Sequence, residues 1–379
     1  MFKTIGKTAL LASAALAMAM MAQAANAQDR MLRGAPAGPP PHPANQFLYQ
    51  SIAEFLPEES EGRLGMTILG PEVVSLGQMK DALQSQIAEV GNLLPLYFPA
   101  ELPFMALAGE LSLLPSDPHA AGAAMTEFMV NCAPCQQEMV DFGFVYLGSG
   151  SSDVYEIMTT KPVRTAADMA GLRIRVGGAP WARLAEHFGA VPVQISVNDM
   201  FESMSQGVID GTMASAADMT SFRLVELVKY VTEVPIGLYQ ATSNFTTVKS
   251  TWDSLDVADR EAFARAANRS NAVFTQGWGH ILPGQADEAA HAAGIEYIEA
   301  DPAFVDEIKA FVATEVQTAT DLAVNTFGIT DAADHIATYL ALLEKWEAIS
   351  AELGQDTDAI AARVYDEVWS KVDFATYGQ

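Results

Sequence analysis

The sequence predicts an α/β fold that is divided into two lobes. Between Gly171 and Gly207, strand, helix and strand patterns alternate, and strands joined by helices run parallel in α/β sheets. The chain has 379 residues, of which 50% are hydrophobic, so it exceeds one compact core and can fill two. We therefore expect two lobes of roughly 150 residues each.

Residues 171–176 (Gly-Leu-Arg-Ile-Arg-Val) alternate strictly between apolar and basic side chains. This period predicts a strand with its three aliphatic residues on one face and Arg173 and Arg175 on the other. Three further elements are predicted after it, a helix, a strand and a second helix: 181–188, 191–195 and 199–207.

The two ends of the mature chain differ in pattern. The first segment, to about Leu56, is polar and rich in proline, so we expect a loop there. Near the other end, Asp301 and Pro302 open an apolar period of three and four residues that reaches Leu322, and a second such period stops at Gly354. Both periods predict helices whose apolar stripes belong to the core.

Residues 1–27 have the pattern of an export signal. Lys3 and Lys7 precede an apolar run over 9–21, and Ala-Asn-Ala at 25–27 suits a signal peptidase. A membrane anchor is the alternative, but the run is shorter than the roughly 20 residues that cross a bilayer. No cysteine lies near the cleavage point. We expect a free periplasmic protein, cleaved after Ala27.

The composition excludes several function classes. The chain has 21 basic and 47 acidic residues and a formal net charge of −26, which repels nucleic acid and anionic lipid surfaces. The motifs of zinc proteases, α/β-hydrolases and P-loop proteins are missing from the sequence, and its six histidines are scattered. We therefore expect no catalytic residue, no metal and no cofactor.

The two cysteines of the chain, Cys132 and Cys135, predict a structural disulfide in an exported protein. A redox centre is one alternative, but redox pairs of this spacing open a helix, whereas residues 123–130 predict a helix that ends at the pair. A zinc site is the other alternative, and it would need two further ligands nearby.

Three linked motifs carry a resemblance to a known family. They are DMAGLRIRV at 168–176, FGAVPV at 188–193 and QGVIDG at 206–211, and a W-x-x-L element follows at 252–255. Together they resemble the DctP-type solute-binding proteins of TRAP transporters, over nearly the whole mature chain. Such a protein captures a small organic acid in the periplasm and delivers it to a small and a large membrane subunit.

The resemblance implies a two-lobed periplasmic-binding-protein fold with a hinge and a long bracing helix. Chain crossings near Ser152 and Tyr239 would make the lobes discontinuous. The implied division is lobe I from 28–152 with 241–280, and lobe II from 153–240 with 281–379. We expect a monomer. A secreted α/β enzyme and a sensory ligand-binding protein are the alternatives, disfavoured by the missing motifs and the missing tether.

The resemblance also places the ligand carboxylate on Arg175, whose planar guanidinium matches a carboxylate with two hydrogen bonds. The alternative is a solvated strand arginine. Sialic-acid-binding relatives carry a second arginine where an ungapped count puts Tyr155, and an asparagine where this chain has Ala214. Tyr155, Trp181 and Tyr97 are candidate aromatic walls, with core positions as the alternative.

A single guanidinium favours a single carboxylate, because a second enclosed carboxylate without a partner is costly to desolvate. We therefore expect a small monocarboxylate with an apolar or aromatic body to bind better than a dicarboxylate or a sugar acid. Arg164 and Arg183 are the alternative sources of a second cation. The sequence does not name the ligand.

Overall fold

The computed structural model describes residues 30–379, so the predicted export signal and its cleavage site lie outside the described residues. Two β-sheets flanked by helices form the protein. The strands are β1 (Arg30–Ala35), β2 (Leu64–Ile68), β3 (Val90–Leu93), β4 (Phe144–Val145), β5 (Glu156–Thr159), β6 (Arg173–Val176), β7 (Val191–Gln194), β8 (Gly211–Ala214), β9 (Tyr230–Glu233), β10 (Ser243–Val248) and β11 (Glu296–Glu299).

The α-helices fill the connections between strands and form the end of the chain. They are α1 (Gln50–Glu59), α2 (Met79–Gln84), α3 (Pro103–Gly109), α4 (Pro118–Asn131), α5 (Ala133–Asp141), α6 (Ala179–His187), α7 (Met200–Ser205), α8 (Asp218–Ser221), α9 (Lys249–Asp253), α10 (Val257–Gln276), α11 (Leu282–Ala292), α12 (Pro302–Val312), α13 (Glu315–Phe327), α14 (Ala332–Leu353) and α15 (Thr357–Glu367).

The first sheet has the order β2-β1-β3-β10-β4 and the second has the order β11-β9-β5-β8-β6-β7. Strands β1, β2 and β3 are parallel, as are β6, β7 and β8. Strands β10 and β5 are antiparallel to both of their neighbours. Each of these two strands enters its sheet directly from the other sheet, and therefore from the opposite end. The predicted two-lobed α/β fold is confirmed.

Two extended segments connect the sheets and lie side by side. The Ser152 N–H donates to the Tyr239 carbonyl at 3.1 Å, and the Tyr155 N–H donates to the Gly237 carbonyl at 2.7 Å. One segment runs from β4 to β5 and the other returns from β9 to β10. Because the two crossings are hydrogen-bonded to each other, they form one hinge between the lobes.

One long helical stretch contacts both lobes. Helix α10 packs on α1 and α15, and after a π-helical turn at Gly277–Ile281 the chain continues as α11, which packs on α8 of the second lobe. A π turn is found frequently at functional sites, because it displaces a side chain from the regular helical face. Here the π turn places Trp278 in the cleft between the lobes.

The last helices return to the first sheet. Helix α14 packs on α4, and α15 packs on α10 and α4. The apolar stripe of α14, which includes Tyr339, Leu343 and Trp346, is buried in these contacts. Residues 332–367 thus pack with lobe I, whereas the sequence division grouped 281–379 with lobe II. Periodicity identifies the buried face of a helix but not the element that covers it.

Two local predictions were wrong. Residues 30–35, expected in a loop, form the inner strand β1, because Leu32 and Ala35 are buried and both neighbouring strands are parallel to it. The apolar period from Phe304 to Leu322 is divided between α12 and α13, with a break at residues 313–314. The cap was predicted correctly: the Asp301 side chain accepts from the backbone of Ala303.

The Cys132–Cys135 disulfide is present, with a Cα–Cα distance of 5.2 Å. The pair lies between α4 and α5, so it both follows one helix and opens the next. Sγ of Cys132 accepts a hydrogen bond from the Cys135 N–H at 3.2 Å and thereby caps α5. Neither cysteine lines the cleft.

Candidate ligand-binding site

A partly open cavity lies between the two sheets. Its lining comes from the carboxyl ends of strands β3, β6 and β8, from the hinge and from the helical stretch around the π turn. Ligands of parallel α/β sheets bind at such strand ends. The lining residues are His42, Leu76, Asn92, Leu94, Tyr97, Tyr155, Arg175, Val197, Asp218, Tyr239, Thr242, Phe274 and Trp278.

Arg175 is the cationic centre of this cavity. It is 1% exposed, its Nε donates to the Ile195 carbonyl at 3.1 Å, and its Nη2 donates to Oη of Tyr97 at 3.1 Å. Within residues 30–379 no carboxylate forms an ion pair with it, and Nη1 makes no hydrogen bond. A buried cation without a counter-ion is costly. The cavity is therefore suited to an anion.

Tyr97 links this arginine to the opposite lobe. Its Oη accepts from Arg175 and also from the Val197 N–H at 3.1 Å. Since both lone pairs of the hydroxyl are occupied, its hydrogen is free to donate to a ligand. The tyrosine comes from lobe I and both donors come from lobe II, so this contact also holds the cleft closed.

The neighbouring arginine has a different role. Arg173 donates to both oxygens of Asp210, at 2.9 and 3.0 Å, and its side chain is 43% exposed. The hydrogen bonds from Arg173 lower the pKa of Asp210 to about 2. Strand alternation places both arginines on one face, but the tertiary contacts leave only Arg175 available for a ligand.

Aromatic rings form one wall of the cavity. Tyr155 and Tyr239 line it, and both stack on Trp181, at centroid distances of 4.7 and 5.8 Å. Trp181 itself lies behind them, and its Nε1 donates to the Ile236 carbonyl at 2.9 Å. The wall is thus two tyrosines supported by a tryptophan. The ring centroid of Trp278, from the π turn, lies 6.4 Å from the ring centroid of Tyr239.

The structure brings three of the sequence candidates, Arg175, Tyr155 and Tyr97, to the cavity. Trp181 supports the wall from behind, and Ala214 is buried in β8 without lining the cavity. The cavity lining thus includes neither residue, because a position in a strand or helix indicates which face a side chain is on but not what covers that face.

The alternative cations lie elsewhere. Arg183 is bonded to Glu110 at 2.7 Å and to Glu315 at 2.6 Å, and Arg164 donates to the Glu299 carbonyl. His42 does line the cavity, but burial lowers its pKa to about 3, so the ring is neutral. Among the described residues, Arg175 is therefore the only charged cation that lines the cavity.

Sequence reasoning missed four polar residues of the site. Each has a buried polar atom without a partner in the described chain: Oδ1 of Asn92, Oδ1 of Asp218, Oη of Tyr239 and Nε1 of Trp278. These residues are far apart in the sequence and share no motif. Only the fold brings them together.

Within residues 30–379, no group of three or more histidine, cysteine or carboxylate side chains is placed to hold a metal ion. No helix of this part of the chain combines the length and apolarity that a membrane span requires.

Two lobes joined by paired crossings, with a buried arginine without a counter-ion in the cleft, are the arrangement of a two-lobed ligand-binding protein. Residues 38–321 match the model of the DctP family, described as bacterial extracellular solute-binding protein, family 7. This match covers most of the chain, so the protein belongs to that family.

Solved structures share the fold. A TRAP solute-binding protein from Rhodoferax ferrireducens T118, in complex with copurified benzoate, has a TM-score of 0.76 and 20% identity, over 85% of this chain and 99% of that one. A marine metagenome TRAP protein specific for aromatic acid ligands, with 3-hydroxybenzoate, has a TM-score of 0.74 and 23% identity, over 84% of this chain and 98% of that one. A Bordetella bronchiseptica protein with bound mandelate has a TM-score of 0.69 and 24% identity, over 83% of this chain and 99% of that one.

Curated relatives match over shorter stretches. A solute-binding protein of Albidiferax ferrireducens is 33% identical over 79 residues, which are 21% of this chain and 23% of that protein. A solute-binding protein of Roseobacter denitrificans is 27% identical over 157 residues, which are 39% of this chain and 45% of that protein. The chain thus aligns with less than half the length of either curated relative.

Proposed function

We propose that this protein is the periplasmic substrate-binding subunit of a TRAP transporter and captures a small organic monocarboxylate with an aromatic or apolar body. The observation that carries the proposal is the buried guanidinium of Arg175, which faces the cavity without a protein counter-ion. A carboxylate would supply that counter-ion and accept hydrogen bonds from Arg175 and Tyr97.

The walls of the cavity support the aromatic or apolar body. Tyr155, Tyr239, Phe274 and Trp278 surround it with rings. The relatives of the same fold bind benzoate, 3-hydroxybenzoate and mandelate, each of which carries one carboxylate and one ring. Family membership and the predicted export signal support capture in the periplasm and delivery to small and large membrane subunits.

A thermal-shift screen of the mature protein over organic acids tests the proposal. A ligand at 100 times its Kd stabilises the folded state by about 2.7 kcal/mol. We expect stabilisation by benzoate or a related ring monocarboxylate, and little by succinate, whose second carboxylate has no cation in the cavity. Calorimetry of matched mono- and dicarboxylates then ranks the affinities. Tighter binding of the dicarboxylate would contradict the monocarboxylate assignment.

A further inference from the structure

Asp218 is the carboxylate of the cavity that lacks a protein partner. It follows β8 at the start of the short helix α8, is 2% exposed and lines the cavity. Its Oδ1 is fully buried without a hydrogen bond to the described chain. Leaving such a group without a partner costs folding free energy, and a donor supplied from the cavity would recover it.

A neighbouring carboxylate, Asp153, differs from Asp218 in its hydrogen bonding. Asp153, on the hinge, accepts from the Ser215 hydroxyl and from the Ala216 N–H at 3.2 Å. It does not line the cavity, and its acceptor capacity is used by protein donors. Asp218, at the start of α8, lines the cavity, and its Oδ1 has no such donor. Asp218 therefore brings to the cavity wall an acceptor that no protein donor uses.

Asp218 and Arg175 line one cavity but form no ion pair with each other. The charge of Arg175 acts on Asp218 through space: burial raises the pKa of Asp218 to about 7, and the positive charge opposes this shift. The two groups thus occupy separate positions around the cavity. A ligand carboxylate on Arg175 leaves Asp218 to meet another part of the same ligand.

We propose that Asp218 selects ligands that carry a hydrogen-bond donor, a hydroxyl or N–H group, while Arg175 holds the ligand carboxylate. This inference rests on the proposed function, since it takes the carboxylate position as given. It narrows the ligand class to ring monocarboxylates with a hydroxyl or amino substituent.

The selectivity follows from the chemistry of the ionised carboxylate, which accepts hydrogen bonds but cannot donate them. Asn92, whose Oδ1 also lacks a partner, carries both an acceptor and a donor and therefore does not discriminate between a hydroxyl and an ether. A hydroxyl is therefore accepted at Asp218, whereas a methoxy group in the same position offers only a lone pair and is rejected.

The test is calorimetry at pH 7.5 with benzoate, its three monohydroxy isomers and the matching methoxybenzoates. We expect one hydroxy isomer to bind the wild-type protein roughly ten- to a hundred-fold more tightly than benzoate and than its methoxy analogue, as a charged hydrogen bond supplies. In Asp218→Ala this preference falls to within about two-fold, while benzoate still binds. Asp306→Ala, an exposed carboxylate of the same lobe, keeps the preference.

A second variant guards against a folding defect. Asp218→Asn keeps the shape but loses the charge, so the preference is reduced and no longer depends on pH. In the wild-type protein the preference shrinks from pH 7.5 to pH 6, because Asp218 takes up a proton. Over this range His42 and Tyr155 stay neutral, and Asp153, whose pKa burial raises to about 8, remains largely protonated.

The outcomes are distinguishable. Equal binding of all benzoates by the wild-type protein, or a preference that survives in both Asp218 variants, would overturn the inference and leave the proposed function intact. Failure of every benzoate to bind the wild-type protein, or unchanged binding in Arg175→Ala, would overturn the proposed function itself.

Discussion

Nη2 of Arg175 donates a 3.1 Å hydrogen bond to Oη of Tyr97, and this contact joins the two lobes across the cleft. The same hydroxyl accepts from the Val197 N–H, so one oxygen atom of lobe I contacts both the proposed ligand-binding cation and the backbone of lobe II. We therefore expect binding of an anion at Arg175 and closing of the cleft to be coupled.

Arg175→Ala is expected to abolish useful binding of a ring monocarboxylate. Removing one partner of a buried ion pair costs about 3–5 kcal/mol, or roughly two to four decades in affinity. Arg175→Lys keeps the charge but not the two-pronged geometry, so it should bind weakly. Calorimetry with benzoate measures both. Arg173→Ala is the control, because that arginine is paired with Asp210 outside the cavity. The affinity of this variant for benzoate should match that of the wild type.

Tyr97→Phe should weaken binding by roughly ten-fold, because it removes one hydroxyl and leaves the donors of Arg175 and Val197 without their acceptor. Most of the loss should be a faster dissociation rate, since the contact holds the closed form. Stopped-flow fluorescence and calorimetry measure the two quantities. Tyr297→Phe also removes a bonded hydroxyl, but outside the cavity, and should change neither. Wild-type dissociation in Tyr97→Phe would show that the contact does not hold the cleft closed.

The disulfide is expected to stabilise the fold without affecting binding. Replacing both Cys132 and Cys135 by serine opens a short loop, which costs about 2 kcal/mol by loop entropy. A serine at 132 retains an oxygen to cap α5, so the bridge is tested separately from the cap. Urea unfolding measures the loss, and affinity for benzoate should be unchanged. Free thiols in protein purified from the periplasm would contradict the bridge.

Four carboxyl groups, of which Asp218 is buried and the other three are half-buried, make stability fall as pH rises. Burial raises the pKa of Asp218 and Glu138 to about 7, of Asp153 to about 8 and of Glu156 to about 9. In the unfolded chain these groups ionise near pH 4. Between those limits the folded protein binds more protons than the unfolded chain, so the free energy of unfolding decreases with increasing pH.

Buried histidines act in the opposite direction at lower pH. Burial lowers the pKa of His42 to about 3 and also lowers the pKa of His119 and His280. Their stabilising contribution is lost as pH falls below the unfolded value of about 6.5. Above pH 6.5 only the carboxyl effect remains. We expect the Tm of the ligand-free protein to fall from pH 6.5 to pH 9.

Thermal unfolding of wild type and Glu156→Gln checks this expectation. The glutamine mimics the protonated carboxyl, so the decrease of Tm with pH should be smaller in this variant. Glu307→Gln, at an exposed position, should follow the wild type. A Tm that stays constant or rises between pH 6.5 and 9 would show that these carboxyl groups are already ionised in the folded protein.

The sequence by itself determined the elements that depend on neighbouring residues. The alternation over 171–176 identified β6 and placed Arg175 on a face that could meet a ligand. The spacing of Cys132 and Cys135 predicted their bridge, and Asp301 with Pro302 marked the start of α12. The linked motifs between residues 168 and 211 identified the family. These features can be predicted from the sequence because strand period, helix caps and short loops are set by residues a few positions apart.

Only the tertiary structure decided which of these residues form the site. It paired Arg173 with Asp210 and left Arg175 to the cavity, and it placed Trp181 behind the wall. It also brought Asp218 and Trp278 to the same cleft, although one precedes and the other follows the crossing from β9 to β10 in the sequence. A cavity is enclosed by segments distant in the chain, and its unpartnered atoms are defined by what the rest of the fold does not reach. No local pattern of residues encodes that.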